Sequence, residues 1–66
     1  MNKDELPEIM RYFAYAHLPE KLRYVSEPFG ELAESMLSLP DCEERAAGLR
    51  KLLEAKDCAV RAAILA

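Results

Sequence analysis

Residues 41–64 read DCEERAAGLRKLLEAKDCAVRAAI. Their spacing predicts one amphipathic helix from Asp41 to Ile64. Asp41 can cap its start, and Glu44 follows at capping-box spacing. Leu49, Leu52, Leu53, Ala59, Val60 and Ala63 recur at helical intervals and form one apolar stripe. Two cations, Arg45 and Lys56, fall inside that stripe. A charge in an apolar face costs several kcal/mol, roughly, unless it is paired or solvated. The sequence therefore poses a definite question: what do these two cations meet?

A second helix is predicted just upstream, from Pro19 to Leu39. Pro19 suits its first turn, and Glu20 favours the positive end of the helix dipole. Leu22, Val25, Phe29, Leu32, Met36 and Leu39 alternate three and four apart, a heptad seam over nearly three repeats. Pro28 removes one intrahelical bond and predicts a kink or a split, with Ser26 as a cap for a restarted helix. Leu39-Pro40-Asp41 joins the two helices through two to four residues, which makes them antiparallel neighbours. That register sets Gly30 near Gly48, a level of close backbone approach. It also sets Lys56 near Val25 and Ser26, and Arg45 near Glu34 and Met36.

Ahead of this hairpin, Pro7 predicts a short helix from about Glu5 to Tyr12 whose Leu6, Ile9 and Met10 dock onto it. Tyr12 to Leu18 then holds three of the five aromatics and the single histidine, and Pro19 closes it as an irregular connector. The expected fold is all-α: an antiparallel helical hairpin with a short N-terminal helix, packed as an oligomeric helical bundle. Oligomerisation enters because 66 residues form one domain, 1–66, that buries only about 60% of its unfolded surface. Two helices cannot hide both their faces from water. Ala46, Ala47, Ala55, Ala59, Ala62 and Ala63 add a small-residue surface suited to another helix.

The net charge of −3 and the lack of a basic run argue against duplex nucleic acid, while leaving room for a small anion held by local cations. Cys42 and Cys58 lie about 24 Å apart on one helix, too far to bridge, and read as small buried thiols. One His and two distant Cys provide no metal-ligand spacing, and no nucleophile elbow or phosphate loop is visible. No cofactor and no enzymatic activity is expected. No apolar run is long enough to span a membrane, and the expected location is the cytoplasm. On the last helix Asp57 and Arg61 stand in favourable i, i+4 order on a solvated outer face.

Each candidate binding residue has an ordinary structural reading. His17 can be satisfied by backbone, Tyr12 and Tyr15 can pack with wet hydroxyls, and Lys56 can snorkel along the seam. Together, however, the aromatics, the notch at Ser26 to Pro28 and Lys56 fall at the end of the hairpin distal to Pro40. Rings beside a cation are what a nucleotide requires.

The order of motifs also resembles a known family. It comprises Phe-x-Tyr-x-His-x-Pro from Phe13 to Pro19, Glu-Leu-Ala-Glu from Glu31 to Glu34, and Pro-x-x-x-Glu-Arg-Ala from Pro40 to Ala46. Leu-Arg-Lys-Leu-Leu-Glu-Ala from Leu49 to Ala55 and Ala-Ala-Ile from Ala62 to Ile64 complete it. These stretches resemble the bacteriophage anti-CBASS and anti-Thoeris cyclic-nucleotide sponges, over about Tyr12 to Ile64. The resemblance implies a small helical viral protein that assembles, commonly as a hexamer, in the host bacterial cytoplasm. It implies binding, without cleavage, of cyclic di- or trinucleotide second messengers between protomers, and hence evasion of host immunity. Tyr15 or Tyr12 matches the family's base-stacking tyrosine, with His17 beside them. At the family's phosphate-contacting basic position this chain has Ser26, with Arg23 and Lys21 nearby. Arg45 matches the arginine of the turn motif, and Lys56 is a further phosphate candidate. The rival expectation is a small helical oligomerisation or protein-interaction module with no small-molecule ligand.

Overall fold

The computed structural model describes residues 7–65. It is all-helical: a 3₁₀ helix over Glu8–Phe13, α1 over Glu20–Met36 and α2 over Glu43–Leu65. All three elements pack on one another, most extensively α1 on α2. The expected N-terminal helix is thus a 3₁₀ helix that starts later. Pro7 stands just before it in extended conformation, its carbonyl accepting the Met10 N–H at 3.0 Å. Leu6, an expected docking residue, lies outside the described residues.

Pro19 precedes α1 rather than opening it. Its backbone is extended (φ −55, ψ 152), and its carbonyl accepts the Arg23 N–H at 2.8 Å. The helix then runs unbroken through Pro28, so the expected split and the restart capped by Ser26 do not occur. Pro28 is exposed, and the loss of its hydrogen bond falls where water can compensate. α1 ends at Met36, and successive i→i−3 bonds from Leu37, Ser38 and Leu39 tighten the chain beyond it. The link to α2 consequently takes residues 37–42, longer than two to four.

α2 starts at Glu43, with the Cys42 carbonyl accepting the Ala46 N–H at 3.1 Å. The Asp41 carboxylate is directed to Arg45 (3.2 Å), so the expected capping box gives way to an ion pair. Along α2 the expected stripe is the inward face. Leu49 is buried, and Leu52, Leu53, Ala59, Val60 and Ala63 are partly so. Cys42 and Cys58 are exposed, not buried. Cys58 lies off the stripe and accepts a contact from Arg61 at 3.4 Å. Arg61 therefore does not pair with Asp57, whose carboxylate turns to Lys56.

α1 departs further from its pattern. Its buried residues are Ser26, Gly30 and Ala33, whereas Leu32 and Leu39 of the heptad seam are about half exposed. The helix serves two partners, α2 on one flank and the 3₁₀ helix with its connector on the other. The residue row between the flanks is deepest, and it must be small. Gly30 does not face Gly48. A Cβ on Gly30 would sit 2.9 Å from the Tyr15 ring and 3.0 Å from the Phe13 carbonyl oxygen, while one on Gly48 would meet the Met36 methyl. Side chains fill the space that a helix-to-helix backbone approach would have needed.

Among the described residues the fully buried hydrophobic core is Phe13, Ala33 and Leu49, with Ile9, Met10, Phe29, Met36, Leu37, Leu52 and Leu53 packed around it. Arg45 closes its lower end. With 8% of its surface exposed, it donates from Nη1 to the carbonyls of Leu37 (3.2 Å) and Leu39 (3.0 Å), and its Nη2 forms an ion pair with the Asp41 carboxylate. It thereby satisfies carbonyls left over at the end of α1, where the helix dipole favours a cation. Charge-assisted bonds of this kind contribute about 1.5–3 kcal/mol each. Arg45→Ala should therefore lower the urea-unfolding free energy by about 2–3 kcal/mol, whereas Asp41→Asn, at an exposed carboxylate, should cost about 1 kcal/mol or less. Equal effects would place the stabilisation in the ion pair and not in the carbonyls. Ser26 is 1% exposed, and its hydroxyl has no hydrogen-bond partner among the described residues. Ser26→Ala removes that buried polar atom, and the same denaturation series should find it neutral or stabilising by about 1 kcal/mol.

Candidate functional site

The expected site residues fall into separate groups. Lys56 reaches from α2 to the last turn of the 3₁₀ helix, just ahead of the connector, donating to the Tyr12 carbonyl at 2.7 Å, with the Asp57 carboxylate at 3.4 Å. Only 13% of its side chain is exposed. A buried ammonium needs such partners, and the carbonyl supplies one from a residue 44 positions away. Lys56 therefore fixes the main chain at the point where the 3₁₀ helix gives way to the connector. Tyr12 itself is 57% exposed. Tyr12 and Lys56 are thus brought together, but through backbone and not as a ring beside a cation.

Arg45 is at the α1–α2 link, where its two terminal nitrogens are already engaged. It lines a cavity of about 310 Å³ together with Pro7, Ile9, Asp41 and Leu49. Ser26 is enclosed in the core and does not reach solvent. His17, Lys21 and Arg23 are exposed on the connector and the first turn of α1.

Tyr15 occupies different surroundings. Its ring rests on Gly30, whose lack of a Cβ admits it. It helps line a second cavity, of about 480 Å³, with Met10, Phe13, Gly30, Glu34 and Leu37. Partial burial of the hydroxyl raises its pKa above the ordinary 10.0, and Glu27, Glu31 and Glu34 add to the rise. These carboxylates surround Tyr15 with negative charge, the wrong sign for a phosphate neighbour. Sequence reasoning missed this carboxylate row, although its signal was present. Positions 27, 31 and 34 are i, i+4 and i+7, one face of a helix. What the sequence did not reveal was that the Tyr15 ring would lie beside them.

Among the described residues no group of three or more His, Cys, Asp or Glu could hold a metal ion, and no helix is long and apolar enough to cross a membrane. Comparison of the chain with protein-family models, curated proteins and solved structures finds no match.

Two measurements probe this geometry. Lys56→Met should speed amide exchange in the connector, beginning with the Leu18 N–H that bonds the Tyr15 carbonyl at 3.0 Å. Exchange unchanged from the wild type would show that the Lys56 bond does not hold the connector. The raised Tyr15 pKa means that the fold favours the neutral phenol. Its contribution to stability is complete below pH 10 and is lost as pH rises through the higher folded value. Tyr15→Phe should accordingly show a flatter decline of stability above pH 10, followed by alkaline thermal denaturation, and should lack the late-ionising tyrosine seen by ultraviolet absorbance.

Proposed function

We propose that the chain is a phage-type sponge that binds and sequesters a cyclic di- or trinucleotide immune signal without cleaving it, blocking host anti-phage defence. In this reading α1 and α2 form an antiparallel hairpin. Several hairpins pack as an oligomeric bundle in the bacterial cytoplasm, and the ligand lies between protomers. It acts by binding, and no catalysis or cofactor is involved.

The observation that carries this reading is the presentation of Tyr12. The residue is more than half exposed on a main chain held by Lys56, while His17, Lys21 and Arg23 are exposed nearby in sequence. An anchored backbone with a free ring is a pre-organised stacking platform. In this reading the exposed Lys21 and Arg23 are completed into a pocket by a second chain; the small buried core and half-exposed Leu32 and Leu39 favour such a contact. The motif resemblance from Tyr12 to Ile64 supports it independently. In this reading Tyr12 stacks on a base and Lys21 and Arg23 meet phosphate.

A second reading, a helical oligomerisation or interaction module with no small ligand, draws on a specific observation. Arg45 and Lys56 are committed to main-chain carbonyls, and Ser26 is buried.

Calorimetric titration with a panel of cyclic di- and trinucleotides, followed by chromatographic recovery of the ligand, separates the two. Sponge function predicts binding, intact ligand, and loss of affinity as salt rises. Tyr12→Ala should weaken binding by about tenfold or more, on the scale of one base–aromatic stack, without changing the sedimentation of the assembly. No heat with any member of the panel would move the function to the interaction module.

A further inference from the structure

We infer that the cavity between the connector and α1 is a binding site for a small organic cation, an ammonium or guanidinium carried on an apolar body. The cavity, about 480 Å³, is within the usual range of small-molecule sites, about 300–1,000 Å³. Its wall is formed by Met10, Phe13, the Tyr15 ring, Gly30 and Leu37, and its one ionisable carboxylate is Glu34. An aromatic ring, a thioether and aliphatic carbon suit an apolar body, and the face of a tyrosine attracts a cation.

The charge around this cavity selects the sign of the ligand. Glu27, Glu31 and Glu34 occupy one face of α1 within about 10 Å of helix length. Like charges at these spacings destabilise a helix slightly, and the ion pairs among the described residues involve none of the three. Their field reaches the Tyr15 hydroxyl on the cavity wall, raising its pKa alongside the effect of burial. A phosphate is repelled here, and a neutral apolar molecule gains nothing from Glu34. A cation relieves the repulsion among the carboxylates while its body covers the rings. The site is separate from the nucleotide reading, which uses the outward Tyr12 and the cations at the start of α1.

The test titrates tryptamine into the full chain, with tryptophol, its uncharged alcohol analogue, as the comparison, followed by ¹H–¹⁵N and aromatic NMR. Tryptamine is expected to bind about tenfold more tightly than tryptophol, with shift changes centred on Phe13, Tyr15 and Gly30. Glu34→Gln, at an exposed position that leaves the core intact, should weaken it about threefold, and Glu31→Gln with Glu34→Gln about tenfold, on the scale of partly exposed charge pairs. Glu54→Gln on α2 controls for net charge and should leave affinity unchanged. Equal binding of both compounds, no binding of tryptamine, shifts centred at Ile9 and Leu49, or equal effects of Glu34→Gln and Glu54→Gln would each overturn the assignment.

Discussion

Two cations in the apolar stripe of α2 hold the rest of the molecule in place, and both do so by hydrogen-bonding main-chain carbonyls. Arg45 collects the carbonyls of Leu37 and Leu39 at the close of α1, and Lys56 takes that of Tyr12 at the other end. A charge in a low-dielectric seam is tolerable only when its donors are matched. Matching them to backbone joins α2 to the end of one helix and to the last turn of the 3₁₀ helix that precedes it. α2 is thus the element on which both other segments are positioned.

This arrangement explains why so little of α1 is buried. The helix lies between α2 and the connector, and its deepest row is Ser26, Gly30 and Ala33. Small residues let Phe13 and Tyr15 come close, and the large apolar residues fall to the flanks, some half exposed. Three fully buried hydrophobic residues among the described ones make a small core, and stability scales with apolar area removed from water. The uncovered flank is surface on which further packing could act.

Much of the fold was legible in the sequence. The α2 stripe was legible because α1 and the 3₁₀ helix both pack against the same apolar face of α2, so a 3.6-residue period reports its burial. α1 was read as a helix but with the wrong deep face, since a heptad pattern presumes a single partner and this helix has two. At Pro28 the helix continues where a split was one of two expectations, because the cost of a proline depends on whether water reaches the carbonyl it frees. The site was less legible. The importance of Arg45 and Lys56 followed from charges out of place in an apolar stripe. Their partners did not, because a backbone carbonyl carries no residue-specific signature. The Glu27, Glu31 and Glu34 row could be seen as one face, but not the ring that the chain folds against it.

The bond from Lys56 to Tyr12 has a consequence for how this protein can change. It holds an atom common to every amino acid, so the anchor is indifferent to the side chain at position 12. That side chain projects outward and carries little of the packing. Residue 12 can be exchanged over evolutionary time with little penalty to folding, while the direction in which it points is inherited from Lys56. Position 12 is a socket: the scaffold conserves its aim and leaves its contents open to selection.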